Sequence, residues 1–481
     1  MDRVLEVHSK AGGELASEPV HDLRVALRRC ILIAEVMREI DSGSDWKSMR
    51  KAGRRIFNRL GALRDTHVLA EWLEKLGSPD DPSTDLLLES IKARNERDRT
   101  EAHEAIKGFD RKRWRGWMRE LPGHYRHLAS DRPACESLLI GMWNTVLDLH
   151  RRAQKSRSRI AYHRLRIDLK KFRYAVENFL PSMYPGWAPD LKILQDLLGE
   201  VHDLNVLERT IAKEKRITDE GARAAWLQRI QAEQASRLLQ YREKMAGKES
   251  PLRIWREGLP AGRELRSAGL SQLQEWAFFL TPDFPRVRRV AKLSLQLYDG
   301  FANCGLAARD SDIEERSILH AAALLEEVGH SKKGKAHHKE SYRMIRKISP
   351  PAGWTRRDLE LVALVARFHR RALPRPDHKA LRRYEFPMRQ VVIRLAALLR
   401  FANALHAKPY RAVRRLDVED RAGVIVVRAE GFPDSDPLGP KLSAARRLLE
   451  FACQRSVYIL APGARMMSPR ILQPATRIDA A

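Results

Sequence analysis

The feature that most constrains this chain is an internal repeat in its N-terminal half. Residues 21–29 read HDLRVALRR and residues 163–171 read HRLRIDLKK, an offset of 142 residues. A second matched pair follows, LGALRDTHVL at 60–69 and LGEVHDLNVL at 198–207, at an offset of 138. A recurring pattern indicates a repeated structural unit, and surface loops tolerate small changes in length. The sequence therefore predicts two copies of one unit that differ in a connecting loop.

The spacing inside each copy is that of an amphipathic helix. A basic set recurs at i, i+3 and i+7: His21, Arg24 and Arg28, then His163, Arg166 and Lys170. These positions share one helix face. Apolar residues occupy another face in both copies: Leu23, Leu27, Cys30, Ala34 and Met37, then Leu165, Leu169, Phe172, Val176 and Phe179. Each helix is predicted to bury one stripe and to expose a basic one.

The second matched pair adds candidate binding and structural residues. Arg54 and Lys192 precede the two LG motifs and match at the 138 offset. Asp65 and Asp203 each precede an apolar helical run, so we predict that they cap the N-terminus of a helix. The glycine of each motif is predicted to allow close helix approach or to end a helix.

The charge balance indicates a polyanionic partner. Lys and Arg number 89 against 62 Asp and Glu, a net charge of +27, and the pI is about 10.2. Cations one helical turn apart lie about 5–6 Å apart, a spacing suited to the closely spaced charges of a phosphate backbone. The alternative is that these residues form solvated faces paired with nearby acids, although no acid follows Arg24 or Arg28 at i+3 or i+4.

The doubled H-x-L-R-[VI]-x-x-[RK]-[RK] pattern, each copy followed by an LGxxxD segment, resembles the CHAD domain over residues 1–258. That resemblance implies two pseudo-symmetric helical bundles with a basic groove that binds inorganic polyphosphate. The motif match carries over nine binding residues: His21, Arg24, Arg28, Arg29, His163, Arg166, Lys170, Lys171 and Arg173. Arg54 and Lys192 complete the candidate site.

The second half has a different organisation. Two Pro and three Gly in residues 249–274 predict a linker with short helices, which we place at 259–282. Apolar helical spacing then predicts an HD-like all-α domain over 283–410. From 411 to 465 the pattern changes to a β-hairpin, a helix and a strand, a small α+β domain, and 466–481 is predicted to be a polar tail. The predicted fold class is thus mainly α.

The segments AALLEEVG, HHKES, VARFHRR and RLAALLRFANAL resemble, in order, the C-terminal HD-like half of the exopolyphosphatase and guanosine-pentaphosphatase family, over about 283–465. The resemblance does not extend to that family's N-terminal actin-like domain, which holds its catalytic centre. Glu326 and Glu327 occupy the places of the His-Asp metal dyad, and Glu340 replaces the second His of the family's HHKHS pattern. We therefore predict no metal or other cofactor. A rebuilt site for a divalent ion would use Glu326, Glu327, His338 and His369.

Three functions remain open from the sequence. The leading one is non-catalytic binding of inorganic polyphosphate, the second is an HD-type phosphohydrolase acting on polyphosphate or phosphorylated nucleotides, and the third is nucleic-acid binding. No aromatic-rich RNA motif supports the third. No signal peptide and no run of about 18 apolar residues is found, so we expect a cytoplasmic protein without a membrane span. Such a location is compatible with polyphosphate granules.

Overall fold

The chain divides into two compact units, Met1–Ala268 and Gly269–Ala481. The computed structural model describes residues 1–11, 17–41, 43–77, 81–306, 313–332, 336–433 and 438–464. The first unit is helical, with α1 (Asp2–Ala11), α2 (Ser17–Ile40), α3 (Ser44–Leu76), α4 (Pro82–Lys107), α5 (Arg111–Ser130), α6 (Arg132–Ser156), α7 (Arg159–Phe179), α8 (Tyr184–Lys213), α9 (Glu220–Met245) and α10 (Pro251–Glu257).

The repeat of the sequence is a repeat of helices. The two basic stripes lie on α2 and α7, and the two LG motifs lie inside α3 and α8. At the 138 offset the ends of α4 coincide with the ends of α9. Asp81 and Asp219, also 138 residues apart, cap these two helices by accepting a hydrogen bond from the backbone N–H of Ser83 and Gly221. Each repeat therefore ends in the same capped helix.

The two repeats share a hydrophobic core. Leu69 and Leu73 near the end of α3 pack in one cluster with Leu207 and Ile211, their counterparts in α8. In the same region the buried Trp226 of α9 donates from Nε1 to a serine hydroxyl of α4 at 2.8 Å. Shared burial of equivalent residues is what a pseudo-twofold arrangement requires. The predicted class, mainly α with two pseudo-symmetric bundles, is confirmed.

The predicted linker at 259–282 is mostly helix. Residues Gly262–Leu280 form α11, and its apolar residues Leu273, Trp276, Ala277 and Leu280 lie in the core of the second unit. Their spacing of i, i+3, i+4 and i+7 is that of a buried helix face, which outweighs the Gly and Pro content of the segment. The second unit therefore begins earlier in the sequence than the predicted boundary at 283.

The second unit is built from helices and one small sheet. After α11 come α12 (Phe284–Asn303), α13 (Glu315–Leu325), α14 (His337–Ile345), α15 (Arg356–Arg367), α16 (Phe386–His406) and α17 (Pro440–Cys453), with β1 (Arg415–Arg421), β2 (Val424–Glu430) and β3 (Val457–Leu460). β1 pairs antiparallel with β2, and β2 pairs parallel with β3 after the α17 crossover. The two-residue turn Ala422-Gly423 has positive φ at both positions, which suits a tight hairpin.

The sheet belongs to the same core as the helices, although we predicted a separate α+β domain at 411–465. Ile425 and Val427 of β2 are buried in one cluster with residues of α12, α13, α15 and α16. The hairpin, helix and strand lie where the sequence predicts them. The predicted tail at 466–481 lies outside the described residues. None of the described helices is long and apolar enough to cross a membrane.

Candidate functional site

The basic stripes of the two repeats meet where α2 packs against α7. Arg29 Nη2 donates to Glu177 Oε1 across this contact at 2.6 Å. Their repeat counterparts are Lys171 and Glu35, where the cation now belongs to α7 and the carboxylate to α2. Lys171 Nζ lies 3.9 Å from Glu35 Oε2. Because all four residues are related by the 142 offset, these two contacts form a self-complementary interface. We call them the outer pairs.

Four further cations of the same two helices have no such partners. They form the inner quartet: Arg24 and Arg28 of α2, and Arg166 and Lys170 of α7. All four are half-buried. No carboxylate of the described residues lies within ion-pair distance of any of them. Arg24 Nη1 and Arg166 Nε are buried without a hydrogen-bond acceptor in the described part of the chain. The quartet thus keeps donors that protein groups do not satisfy.

Aromatic rings and a glycine hold the arginines of the first repeat in place. The guanidinium groups of Arg24 and Arg28 lie 4.9 and 5.4 Å from the ring centroid of Phe57. Arg28 Nη1 also donates to the Tyr174 hydroxyl of the second repeat at 3.1 Å. A Cβ at Gly61 would lie 2.9 Å from Arg24 Nη1. Gly61 is therefore inside helix α3 to make room for a guanidinium, not to end the helix.

The quartet is electrostatically unfavourable without an anion. The pKa of Lys170 is lowered to about 7, first because its ammonium is buried and then because Arg166 and Arg28 repel the proton. The pKa of Arg24 is lowered to about 10, first by burial and next by Arg28. Since opposite charge favours the ionised form of a cation, a bound anion would reverse these shifts.

Two carboxylates oppose the quartet from helices α3 and α8. Burial raises the pKa of Asp203 to about 6, against the opposing attraction of Arg166. Burial likewise raises the pKa of Asp65, against the attraction of Arg24 and Arg166. The prediction that these residues cap helix N-termini is wrong, because each lies inside a long helix. Four cations facing two carboxylates leave a net positive charge.

The two predicted histidines have different surroundings. His163 Nδ1 lies 3.1 Å from Nδ1 of His202, which occupies the position of Arg64 in the repeat. The pKa of His202 is lowered to about 3, first by burial and then by Arg166, and burial also lowers the pKa of His163. Both rings are therefore neutral near pH 7. His21 is exposed.

The remaining predicted cations are more peripheral. Arg54 Nη2 donates to Glu35 Oε1 at 2.8 Å, so this glutamate is shared with the outer pairs. Arg173 Nε donates to the Tyr184 hydroxyl at 3.2 Å. Lys192 is exposed on α8. Arg54 and Arg173 thus donate to protein groups, whereas Lys192 is exposed to solvent.

Sequence reasoning missed four residues at this site: Phe57, Tyr174, Arg64 and His202. Arg64 and His202 carried a signal, because both are basic and both directly precede the aspartate that follows the LG motif. Phe57 and Tyr174 carried none. Their repeat counterparts are Gln195 and Leu32, so the repeat could not single them out.

A second group of polar residues lies in the second unit, directly after α13. Glu326 is fully buried. Its Oε2 accepts from Asn403 Nδ2 at 2.8 Å, and its Oε1 has no hydrogen-bond partner among the described residues. Burial, then repulsion by Glu327, raises the pKa of Glu326 to about 8. Burial thus favours the protonated form of the Glu326 carboxyl group near neutral pH.

Glu327 faces three imidazoles, and together they form the Glu327 cluster. Its Oε2 lies 2.6 Å from His330 Nε2 and 3.6 Å from His337 Nε2. Its Oε1 accepts from Arg286 Nη1 at 2.9 Å and lies 3.9 Å from His369 Nε2. Burial alone would raise the pKa of Glu327, but His369 and Arg286 outweigh it and lower that pKa. Glu327 is therefore an ionised carboxylate among nitrogen ligands.

Local backbone structure brings the cluster together. Glu327 is followed by a short 3-10 turn, Val328–Ser331, which packs against α14. A Cβ at Gly329 would lie 2.3 Å from the His337 carbonyl oxygen, so only glycine permits this approach. His369 follows α15, and its Nδ1 lies 2.7 Å from the Ala366 carbonyl oxygen. That bond requires a proton on Nδ1 and leaves Nε2 as the lone-pair nitrogen in the neutral ring.

The cluster differs from the metal set that the sequence suggested. Of Glu326, Glu327, His338 and His369, the structure brings Glu327 and His369 together and adds His330 and His337. The ligand atoms of Glu327, His330 and His337 all lie within 4.8 Å of one another. Burial and then the neighbouring His337 lower the pKa of His338 to about 4, and its buried Nδ1 has no partner in the described part. The structure therefore gathers His330 and His337 around Glu327, and not the set predicted around Glu326.

Comparison with known families gives one match in each half of the chain. Residues 5–212 match the model of the CHAD domain, and residues 265–420 match the model of the Ppx/GppA phosphatase, domain III. No curated protein matches the chain. The first match ends before α9, short of the predicted boundary at 258, and the second begins inside the predicted linker. Together the two domains point to a function related to polyphosphate. The chain therefore contains a CHAD domain, followed by a Ppx/GppA phosphatase domain III.

Proposed function

We propose that the inner quartet binds inorganic polyphosphate. The observation that carries this proposal is that four half-buried cations from two repeats lack a carboxylate at ion-pair distance in the described residues. Two of their N–H groups, on Arg24 and Arg166, also lack an acceptor there. A buried donor without a partner costs about 1–3 kcal/mol, and a phosphate oxygen would relieve that cost. Arginine also suits phosphate, because its planar fork binds two oxygens at once.

A chain of phosphates suits the quartet better than a single phosphate does. The cations come from two helices in different repeats, and further basic residues such as His21 and Lys192 lie exposed on α2 and α8. A polymer can contact cations of both repeats at once, and each phosphate it places adds to the affinity. The pairing of a CHAD domain with a Ppx/GppA phosphatase domain III supports the same ligand.

Nucleic acid is a weaker candidate for this site. Proteins that bind single strands without sequence preference use aromatic faces on which bases stack. The ring of Phe57 lies under the guanidinium groups of Arg24 and Arg28, and Tyr174 is buried. No open aromatic face therefore adjoins the quartet among the described residues.

The test is a binding titration with polyphosphate of defined chain length. Replacing Arg24, Arg28, Arg166 and Lys170 with Ala should abolish binding without unfolding the protein, because the change removes like charges that repel one another. The matched control replaces Arg115, Arg119, Arg151 and Arg152, four exposed arginines of α5 and α6. This control removes four charges as well and should keep most of the affinity. Equal loss in both variants would refute a defined site.

Salt dependence gives an independent measure of the same contacts. If polyphosphate behaves like a single strand, affinity falls by about 0.7 log units per log unit of salt for each phosphate neutralised. A variant that loses one of these contacts, such as Arg24→Ala, should therefore lose about 0.7 units of slope. Binding that is insensitive to salt in the wild-type protein would contradict the electrostatic basis of the proposal. RNA of matched charge should bind more weakly than polyphosphate.

Hydrolysis is the competing proposal, since the Glu327 cluster collects residues that metal-dependent phosphohydrolases use. Such a metal activates water and polarises a phosphoryl oxygen. In this chain the neutral Glu326 stands at the place of the first dyad ligand, and Glu327 is engaged by Arg286. We therefore expect no phosphate release from polyphosphate or guanosine pentaphosphate with Mg²⁺ or Mn²⁺. Metal-dependent turnover that is lost in Glu327→Gln would favour the enzyme instead.

A further inference from the structure

We infer that the Glu327 cluster is a binding site for Zn²⁺ or a similar divalent transition metal ion. Glu327, His330 and His337 offer ligand atoms that all lie within 4.8 Å of one another, and His369 Nε2, 3.9 Å from Glu327 Oε1, would be the fourth ligand. Glu327 Oε2 lies 3.6 Å from His337 Nε2, which in turn lies 3.3 Å from His369 Nε2. A tetrahedral ion with bonds of about 2.0–2.1 Å spaces its ligand atoms about 3.3 Å apart. These two separations are therefore close to those around a coordinated ion, whereas His330 Nε2, 2.6 Å from Glu327 Oε2, would have to move outward slightly.

The imidazoles are oriented as metal ligands require. His369 Nδ1 bonds the Ala366 carbonyl oxygen at 2.7 Å, which fixes the tautomer and directs the Nε2 lone pair towards His337. A backbone acceptor of this kind behind a histidine is typical of metal ligands. The His337 and His369 rings are stacked with centroids 5.3 Å apart. Two Nε2 atoms that face each other at 3.3 Å need a proton or a metal ion between them.

The donor set selects the class of ion. Three imidazole nitrogens and one carboxylate oxygen favour Zn²⁺, Co²⁺ or Ni²⁺, whereas Mg²⁺ and Ca²⁺ prefer all-oxygen sites. His337 and His369 are buried, while about a third of the His330 side chain, 32%, is exposed. His330 therefore marks the side from which an ion would enter.

Two arginines border the cluster and limit its affinity. Arg286 Nη1 donates to Glu327 Oε1 at 2.9 Å, which leaves Oε2 as the oxygen available to a metal. Arg370 Nη1 lies 3.4 Å from His337 Nε2 and would have to turn away when the ion takes that lone pair. Removing the Arg370 guanidinium should therefore increase zinc affinity, whereas Arg286 keeps Glu327 in position.

Calorimetric titration of the full-length protein with Zn²⁺ tests the inference, with visible absorption of the Co²⁺ form as a second readout. We expect one ion per chain and a Co²⁺ spectrum of tetrahedral type. His330→Gln and Glu327→Gln should each lower affinity at least tenfold, while Arg370→Ala should raise it. His330→Gln is the decisive variant because this side chain is partly exposed, so its loss should not disturb folding.

The matched control is His338→Gln, which removes the adjacent histidine that lies outside the cluster. It should bind Zn²⁺ like the wild-type protein, with the same Co²⁺ spectrum. Equal binding by the wild-type protein and His330→Gln would overturn the inference, and so would the absence of stoichiometric binding in the wild-type protein. Zinc binding does not depend on polyphosphate binding, so either proposal can fail without the other.

Discussion

The inner quartet of the first unit and the Glu327 cluster of the second both gather charged or polar groups, but with opposite needs. The quartet collects cations on α2 and α7 and has an excess of N–H donors. The cluster collects one carboxylate and three imidazoles. We propose that an anion completes the first arrangement and a cation the second.

The physical range of the two interactions differs as well. The quartet acts through Coulomb attraction, which works over several ångströms and is screened by salt. In the proposed zinc site the cluster would act through coordination bonds of about 2 Å, which depend on geometry and little on ionic strength. Salt should therefore weaken polyphosphate binding steeply and leave zinc binding almost unchanged.

The largest effect on polyphosphate binding is expected when the two carboxylates near the quartet are removed. Asp65→Asn with Asp203→Asn deletes negative charge that repels a phosphate chain, while leaving every cation in place. Polyphosphate affinity should rise at least about tenfold, because charges within several ångströms in a partly buried site interact by more than about 1 kcal/mol. A binding titration at fixed salt measures this. Unchanged affinity would place the ligand away from α3 and α8.

The next largest effect concerns pH. Lys170 has a pKa of about 7 in the free protein, and a bound phosphate would raise it, so binding takes up a proton. Affinity should therefore fall as pH rises from 7 to 9, by at most about tenfold per pH unit for one proton. Ionisation of Asp203, with a pKa of about 6, acts in the same direction at lower pH.

The matched variant for this pH effect is Lys170→Arg, which places in the second repeat the residue that Arg28 supplies in the first. Its charge persists above pH 7, so the affinity profile should flatten there. Stability gives a second check. The pKa of Lys170 is lower in the folded protein than in the unfolded chain, so its charge destabilises the folded protein fully below about pH 7. This destabilisation should decrease as pH rises from about 7 to about 10.5, and the free energy of unfolding should increase over that range. Identical affinity profiles for the two proteins would exclude Lys170 from the site.

A smaller effect distinguishes the two glycines of the LG motifs. Gly61→Ala places a Cβ 2.9 Å from Arg24 Nη1, whereas Gly199→Ala meets nothing within 4 Å. We expect Gly61→Ala to displace the guanidinium and weaken polyphosphate binding about threefold to tenfold. Gly199→Ala should keep the affinity and stabilise α8 by about 0.5–1 kcal/mol. Equal affinity of both variants would show that the position of Arg24 is unimportant.

The repeat made much of the first unit predictable. A doubled pattern marks the helices that carry the basic stripes, and the periodicity of Leu23 and Leu165 predicts which faces are buried. The failures have local causes. An aspartate before an apolar run can cap a helix, or it can lie inside a helix and face cations. Asp65 lies inside α3. The repeated caps are Asp81 and Asp219, which precede Pro82 and Glu220 at equivalent positions.

The Glu327 cluster was predictable only in part. Its members come from the end of α13, the following turn, α14 and the end of α15. His330 and His337 approach each other because Gly329 lets the turn pack on α14, and no periodicity in the sequence records such a contact. A repeat shows the same residue pattern twice in the sequence, so its contacts can be predicted. A cluster built from unrelated segments can be recognised in the sequence only by the types of its residues.

The smallest effect belongs to the outer pairs and tests whether the quartet really differs from its neighbours. Arg29 and Glu177 form an ion pair whose side chains are 49% and 21% exposed. Such pairs contribute about 0–1 kcal/mol, so Arg29→Ala should change stability by less than about 1 kcal/mol. It should also weaken polyphosphate binding less than about threefold, since Glu177 already neutralises this charge. Glu177→Ala releases Arg29 and should strengthen binding slightly. A loss in Arg29→Ala comparable to that in Arg24→Ala, measured by titration at the same salt, would extend the site to the outer pairs.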